Sequence, residues 1–285
     1  FLYPLAADST LEAFYQEKPE GDFCPELKEA RKILWEILHP YRLKLLRLAP
    51  AKFIHFGTTR EILALMNDGV EDYQALSWSK QVNSSISRDC AGYNSVLSHR
   101  ATVEENCYLE VSFVHDEAKI GNNVLLSYID IHDEIIPDQV VLHGLKQKNG
   151  KFVCRIYGIQ DNPKEDKLFG KELSQIQKNL GLNESDIWDS DNHTLWTANI
   201  YPETNSIRQA VQAALNVYNL AHEAGDLEEW KKANRKSLCS GFQDADSEAI
   251  IAWNGRMQEL VKMDEIAAKI YSGQPAKDTP SLQEL

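Results

Sequence analysis

One short stretch of the sequence combines residue types that can bind phosphate. The apolar run that ends near His55 is followed by Gly57, Thr58 and Thr59. Thr58 precedes Glu61 by three residues, which is a capping-box signature, so the stretch predicts a strand, a tight glycine turn and a helix. The unpaired amide groups and the dipole at such a helix start can bind a phosphate. The same pattern also occurs at many helix starts that bind no ligand.

Two basic residues later in the chain could contact the same kind of ligand. Residues 147–151 are typical of a hairpin turn between two apolar strands, and Arg155 and Lys164 follow this turn. Both side chains could reach an anion near the end of the second strand. The alternative is that they pair with nearby acids, for which Asp161 and Glu165 are the candidates.

Between these two regions, apolar residues recur about every six positions. Spacings of 6, 6, 5, 6, 6, 5, 5 and 6 separate Leu97, Val103, Leu109, Val114, Ile120, Leu126, Ile131, Ile136 and Leu142. This period is typical of a parallel β-helix, and nine positions on three faces predict about three coils. An ordinary meander of amphipathic strands is the alternative. A second small or apolar position, usually four residues later, includes Cys107, Phe113 and Ile135.

Helical patterns follow the coils. The clearest one begins after Ser206, a typical N-cap residue, and the last one runs from Glu248 to Tyr271. Residues 67–83 are predicted to form a loop that leads into the coils. Three aromatic residues could form a platform for a sugar, but buried packing is the favoured interpretation. They are Trp188, Trp196 and Tyr201.

The composition excludes several classes of protein. The chain has 285 residues, of which 43% are hydrophobic, and 30 basic residues against 43 acidic ones give a net charge of -13. This balance predicts neither nucleic acid nor an anionic membrane as a partner. Five scattered cysteines favour a reducing, cytoplasmic location over a disulfide framework. Because the sequence lacks an initiator Met, we expect it to be a fragment of a longer protein.

Several specific runs resemble one family. They are FIHFGTTRE at 53–61, RIYGI at 155–159, DNPK at 161–164, DIW at 186–188 and LWTANIYP at 195–202. Together they resemble the L-fucokinase/GDP-fucose pyrophosphorylase family, whose members phosphorylate fucose and then couple it to a guanylyl group. The resemblance covers most of the chain, and the matching part is the fucose-1-phosphate guanylyltransferase.

The resemblance implies an α+β fold with a left-handed β-helix. Residues 1–78 would form the C-terminal edge of an α/β nucleotidyltransferase domain and residues 79–160 a hexapeptide-like β-helix. Residues 161–285 would form a helical region and a linker towards a kinase domain. The parent enzyme would use GTP and fucose 1-phosphate with Mg²⁺, and neighbouring catalytic and kinase domains would be its partners. The glycine-rich catalytic loop would lie upstream, so no catalytic residue is predicted in this chain.

The position of His55 departs from the wider sugar-nucleotidyltransferase superfamily. There the matching strand often ends in an Asp that helps to bind magnesium, one residue before Gly-Thr. Imidazole is a poor ligand for a hard cation, so the chain is predicted to bind no metal by itself. His55 would instead bond to the backbone or donate to the substrate phosphate. The candidate substrate-binding residues are His55, Gly57, Thr58, Thr59, Arg155 and Lys164.

Three functions are compatible with these patterns. The favoured one is a mainly scaffolding part of a bifunctional GDP-fucose enzyme, with a sugar-phosphate contact. A second is a non-catalytic module for domain docking or oligomerisation. A third, less favoured, is a hexapeptide-repeat acyltransferase that uses a histidine on a coil as general base. The histidines in or near the coils are His99, His115, His132 and His143.

Overall fold

The computed structural model describes residues 2–19, 23–41, 43–44, 49, 54, 57–84, 86 and 90–272. They belong to two compact units, Phe1–His55 and Phe56–Leu285. His55 and most of the apolar run before it lie outside the described residues.

The described part of the first unit contains a 3₁₀ helix at Tyr3–Leu5 and two α-helices, α1 (Leu11–Gln16) and α2 (Pro25–Leu38). Thr10 caps α1 by accepting a hydrogen bond from the amide of Ala13 at 3.2 Å. Arg31 of α2 is buried and donates to the carbonyl of Tyr15 at 2.9 Å. This bond ties the second helix to the first.

The second unit begins with α3 (Thr59–Ala64), which continues into a π-helical turn at Leu65–Gly69 and a 3₁₀ helix at Val70–Leu76. The prediction of a loop over residues 67–83 is therefore wrong for its first half. Leu63 on α3 is buried against Tyr108, Leu125 and Val141 on an outer face of the coils. This packing holds the start of α3 beside the coils.

Three stacks of short parallel strands form a β-solenoid. One stack contains β1 (Gln81–Val82), β2 (Ala91–Tyr93), β5 (Tyr108–Glu110), β8 (Leu125–Ser127) and β11 (Val140–Lys146). The second contains β3 (Val96–Leu97), β6 (Phe113–Val114) and β9 (Asp130–Ile131). The third contains β4 (Thr102–Val103), β7 (Lys119–Ile120) and β10 (Ile135–Ile136). The predicted parallel β-helix of about three coils is confirmed. Its left-handed winding stays a prediction.

The nine periodic apolar residues form the interior of the solenoid. Each of them lies on a strand, and none is more than 6% exposed. Cys107 is also fully buried, and burial raises the pKa of its thiol to about 12. It therefore packs as a small apolar residue, as predicted.

The second set of small or apolar residues, predicted to be buried like the first, is wrong at two positions. Ile135 is 67% exposed and Phe113 is only half-buried. The buried corner residues next to them are Glu134 and Ser112. At both places the next interior strand residue follows after five positions instead of six, from Leu109 to Val114 and from Ile131 to Ile136. The buried residue at the bend then lies three positions after the first interior residue. A fixed offset of four therefore selects its more exposed neighbour.

The chain leaves the solenoid through a hairpin. Strand β11 pairs antiparallel with β12 (Phe152–Gly158), and His143 lies opposite Arg155 in this register. The predicted hairpin is therefore confirmed. Strands β13 (Lys167–Leu168) and β14 (Lys171–Glu172) follow as a small separate pair.

The remaining helices and strands cover the hairpin and the solenoid. In the described residues they are α4 (Leu173–Asn179), a 3₁₀ helix at Glu184–Asp186, β15 (Tyr201–Thr204), α5 (Ile207–Ala221), α6 (Leu227–Lys232), β16 (Arg235–Lys236), α7 (Leu238–Gln243) and α8 (Ser247–Tyr271). Ser206 caps α5 as predicted, by accepting a hydrogen bond from the amide of Gln209. In the described part of the chain, no helix is long and apolar enough to span a membrane.

Candidate functional site

A cavity of about 780 Å³ opens where the start of α3 faces the exit from the solenoid. Its walls come from α3, from the end of β12 with the loop after it, and from α7. Five of the six predicted substrate-binding residues line it, namely Gly57, Thr58, Thr59, Arg155 and Lys164. The sixth, His55, lies outside the described residues. The structure thus brings together two stretches that are almost a hundred residues apart in sequence.

The turn before α3 forms the predicted capping box. The hydroxyl of Thr58 accepts a hydrogen bond from the amide of Glu61 at 3.3 Å. In return, the carboxylate of Glu61 accepts from the amides of Gly57 and Thr58 at 2.8 and 2.9 Å. The two amides that were expected to bind a phosphate are therefore occupied by this carboxylate. Binding an anion to them would require Glu61 to move.

Arg155 is the most deeply buried cation of the cavity. It is 7% exposed, and burial lowers the pKa of its guanidinium. One terminal nitrogen donates to the carbonyl of Leu238 at 3.2 Å, and the other contacts Nδ1 of His143. The Nε group has no hydrogen-bond partner among the residues that the structure describes. Among the residues that the structure describes, no carboxylate forms an ion pair with Arg155, so none of them supplies a counter-ion for its charge.

The two acids that were considered as partners of these cations are used elsewhere. Asp161 accepts hydrogen bonds from the amides of Gly158, Phe169 and Gly170 at 2.6, 2.7 and 3.0 Å. Glu165 forms its ion pair with Lys167, at 3.2 Å. The alternative in which Asp161 and Glu165 pair with Arg155 and Lys164 is therefore wrong in the described part of the chain. The cavity keeps a positive lining in an acidic protein.

His143 fixes the orientation of the Arg155 guanidinium. Burial first, and then the charge of Arg155, lower the pKa of His143 to about 3. The ring is therefore neutral near pH 7 and can accept a hydrogen bond from the arginine at Nδ1. Sequence reasoning did not assign this role to His143, although the hairpin contained the signal: His143 and Arg155 are equally distant from Asn149 in the turn.

This low pKa makes His143 a source of acid sensitivity. Replacing it with asparagine, whose carbonyl can still accept from Arg155, should remove that sensitivity. The unfolded chain takes up a proton on this histidine near pH 6.5, whereas the folded protein does so only near a pKa of about 3. Below about pH 6.5, each pH unit therefore favours unfolding by about 1.4 kcal/mol, and above it His143 contributes no pH dependence.

Urea unfolding near pH 6.5 and near pH 5 measures this effect. We expect the free energy of unfolding to fall by about 1.6 kcal/mol more in the parent protein than in His143→Asn. The other histidines are common to both proteins, so their contribution cancels. Equal losses in the two proteins would show that His143 is not held neutral.

Aromatic side chains form part of the rim of the cavity. Trp196 is 39% exposed and Phe242 is 63% exposed, and both line it. The other two members of the predicted aromatic set, Trp188 and Tyr201, are buried. The packing interpretation is therefore confirmed for these two and wrong for Trp196. Phe242 was missed because the short helix α7, which carries it, was not predicted.

The lining offers little to a magnesium ion. Mg²⁺ prefers carboxylate and phosphate oxygens with near-octahedral geometry. Asp161 is the one carboxylate among the described lining residues, and both of its oxygens already accept hydrogen bonds from amides. The residues described here therefore do not fit a protein-bound Mg²⁺, and we assign none of them to it.

Comparison with known sequences identifies the family. The model of the fucose pyrophosphorylase domain matches residues 1–206, which is well over half of the chain. The chain belongs to this family. The five cavity residues that were predicted from the sequence all lie within the matched part of the fucose pyrophosphorylase domain.

Two curated relatives carry the same name, fucose-1-phosphate guanylyltransferase. The one from Homo sapiens is 27% identical over 220 residues, which cover 68% of this chain and 36% of the relative. The one from Mus musculus is 26% identical over 216 residues, which cover 67% of this chain and 36% of the relative. The chain thus spans little more than a third of each relative. No solved structure shows significant similarity to it.

Proposed function

We propose that this chain supplies one wall of the substrate site of a fucose-1-phosphate guanylyltransferase, and that the cavity of Arg155 binds the sugar phosphate. The observation that carries the proposal is the buried guanidinium of Arg155, which has no carboxylate partner in the described part of the chain. A buried charge without a counter-ion is costly, and such groups concentrate at functional sites. A phosphate would supply the missing charge.

The other lining residues suit the rest of such a ligand. Lys164 and Arg60 are exposed cations at the same cavity and add to its positive potential. Trp196 and Phe242 offer apolar surface against which the sugar ring can pack. Thr59 bonds to the hydroxyl of Tyr157 and so links the start of α3 to β12. We expect this link to hold the two walls of the cavity together.

In the proposed reaction, a phosphate oxygen of fucose 1-phosphate attacks the α-phosphorus of GTP. The bond to the β-phosphate breaks, pyrophosphate leaves, and GDP-fucose forms. The proposed role of this chain is to hold the attacking phosphate in line and to offset its charge. The nucleotide site and the bound Mg²⁺ would come from the rest of the parent enzyme.

Calorimetric titration of the chain with fucose 1-phosphate tests the binding proposal. Free fucose and inorganic phosphate serve as comparison ligands. We expect saturable binding of fucose 1-phosphate and weaker binding of the two comparison ligands, because each provides only part of the contacts. Absence of saturable heat with fucose 1-phosphate would contradict the proposal.

Pyrophosphate release from GTP and fucose 1-phosphate tests the enzymatic proposal. We expect activity in a longer protein that contains this chain together with upstream sequence, and none in the chain alone. A longer protein that is also inert would reject the assignment. Fucose phosphorylation from ATP by the longer protein tests the further proposal that the parent is bifunctional, with a kinase domain as neighbour. We also propose that the parent works in the cytoplasm, which fractionation of cells that produce it tests.

One observation favours the docking module as a second function. Helix α8 exposes several large apolar side chains, among them Ile251, Met263 and Ile270, each more than 60% exposed. Such residues can bind another domain or a second copy of the chain. Light scattering tests this function, which loses support if the chain remains monomeric and binds no neighbouring domain of the parent.

The acyltransferase is the weaker candidate. Its general base would be a histidine near the coils. His143 is a poor base, since its pKa is lowered to about 3. Calorimetry with acetyl-CoA tests this function, and the absence of heat would count against it.

A further inference from the structure

A cluster of two imidazoles and one carboxylate lies on an outer face of the solenoid, apart from the cavity of Arg155. His115 and His132 each present Nε2 to the carboxylate of Asp130, at 2.6 and 3.4 Å from its two oxygens. The possible ligand atoms of the three residues all lie within 4.8 Å of one another. None of the three lines the cavity.

The register of the coils brings these residues together. Strands β6 and β9 pair in parallel with Phe113 opposite Asp130 and Val114 opposite Ile131. His115 and His132 therefore follow at equivalent positions of successive coils. The alternation of a strand places Asp130 and His132 on the same face, two residues apart. Two neighbouring coils thus supply all three groups.

Ring stacking fixes both imidazoles. The ring of Phe113 lies 4.0 Å from that of His115, and the ring of His115 lies 4.2 Å from that of His132 with an interplanar angle of 8°. The backbone amide of His115 also donates to the carbonyl of Ile131 at 2.8 Å. Because an imidazole binds a metal ion in the plane of its ring and these two rings are nearly parallel, one of them has to turn out of the stack when both bind the same ion.

The charges around the cluster leave Asp130 available to a cation. Its two acidic neighbours, Asp133 and Glu134, both contact the guanidinium of Arg208, at 2.7 and 3.7 Å. In the described part of the chain, Asp130 forms ion-pair contacts with the two histidines and with no lysine or arginine. The side chains of His115, Asp130 and His132 are 32%, 20% and 34% exposed, so an ion can reach them from solvent.

We propose that His115, Asp130 and His132 form a binding site for a divalent transition-metal ion of the zinc type. Two imidazole nitrogens and one carboxylate oxygen are a common ligand set for Zn²⁺, with water completing the tetrahedron. Tetrahedral bonds of about 2.0 to 2.1 Å require ligand atoms about 3.3 Å apart. The 2.6 Å contact of His115 is with one oxygen of Asp130 and the 3.4 Å contact of His132 is with the other, so the side chains have to shift for one oxygen and both Nε2 atoms to bind the same ion. Mg²⁺ is excluded by its preference for oxygen ligands.

Titration of the tag-free chain with ZnCl₂ tests the proposal. All proteins carry Cys24→Ser, because the exposed Cys24 thiol could bind the same ion. We expect one equivalent of Zn²⁺ to bind saturably, and the affinity to fall about tenfold or more in His115→Gln and in His132→Gln. Asp130→Asn preserves the size of the side chain and should also weaken binding. His99→Gln, an exposed histidine outside the cluster, is the matched control and should not change the affinity.

Three results would overturn the proposal. The first is the absence of saturable Zn²⁺ binding to the parent. The second is unchanged affinity and stoichiometry in the variant that combines His115→Gln and His132→Gln. The third is MgCl₂ binding at the same three residues as tightly as ZnCl₂. Circular dichroism of each variant establishes that it is folded before it is titrated. If a histidine variant does not fold, the Zn²⁺ affinity of Asp130→Asn decides whether the cluster binds the ion.

Discussion

Replacing Arg155 with methionine is expected to weaken the binding of fucose 1-phosphate about a hundredfold, which corresponds to about 2.7 kcal/mol. Arg155 is 7% exposed, and its guanidinium has no carboxylate partner in the described part of the chain. A phosphate that reaches it would form charge-assisted hydrogen bonds in a low-dielectric setting, each worth about 1.5 to 3 kcal/mol. Calorimetric titration of the parent and of Arg155→Met with fucose 1-phosphate measures the difference.

The stability of the same variant should change little. Methionine removes a buried charge without a counter-ion, which favours the folded state. It also leaves the carbonyl of Leu238 and the ring of His143 without their donor, which opposes this gain. We expect the free energy of unfolding of Arg155→Met to lie within about 1 kcal/mol of the parent, because the two effects are of similar size.

Arg100, an arginine that lies outside the cavity, provides the matched control for Arg155→Met. Arg100 is exposed and pairs with Asp116 and Glu117 at 3.2 and 3.0 Å. Arg100→Met removes the same charge and should leave the affinity for fucose 1-phosphate unchanged. Lys164→Met should reduce it only modestly, because water screens an exposed cation. Equal affinities in the parent and in Arg155→Met, with both folded, would reject Arg155 as the phosphate-binding group.

The solenoid could be predicted from the sequence because its period is local. Each coil repeats the same short strand and corner, so Leu109, Leu126 and Leu142 occupy one interior column. The corners were harder to predict. Whether a side has five or six residues decides if Ser112 or Phe113 faces inward, and both residue types occur on β-helix surfaces. Burial of a serine or a glutamate at a corner depends on hydrogen bonds that no spacing reveals.

The members of the candidate site could be selected from the sequence, but their partners could not. Residue type and the family resemblance selected Arg155 and Lys164. The acids beside them in sequence suggested ion pairs, yet Asp161 bonds to the amide of Gly170 instead. Such bonds depend on the path of the loop after β12. His143 became visible only when the hairpin register placed it opposite Arg155.

The cavity depends on the solenoid for its geometry. Leu63 of α3 packs on the outer face of the first strand stack, next to Val141 of β11. The hairpin that continues β11 carries Arg155 on its second strand. The stack therefore fixes the distance between the turn at Thr58 and the guanidinium. This supports the proposed scaffold role, in which the coils hold two ligand-binding stretches at a set separation.

The strongest test of the solenoid itself uses two neighbouring isoleucines of β10. Ile136 is 1% exposed and pairs with Ile120 in the interior, whereas Ile135 is 67% exposed. Ile136→Ala should reduce the free energy of unfolding by about 3 kcal/mol, because it removes apolar contacts and leaves a cavity that rigid coils cannot close. Ile135→Ala deletes the same atoms from the surface and should cost less than about 0.5 kcal/mol.

Urea unfolding of the two variants, followed by circular dichroism, measures both values on the same strand with the same substitution. Composition, helix propensity and the unfolded state differ little between them, so a large difference can come only from which side chain faces the interior. Equal losses would mean that β10 does not present Ile136 to the core. The assignment of Ile136 and its neighbours in the third strand stack to the interior would then be wrong. A loss confined to Ile136→Ala would establish that the third face is packed from the inside through Ile136 and that Ile135 lies on its outer side.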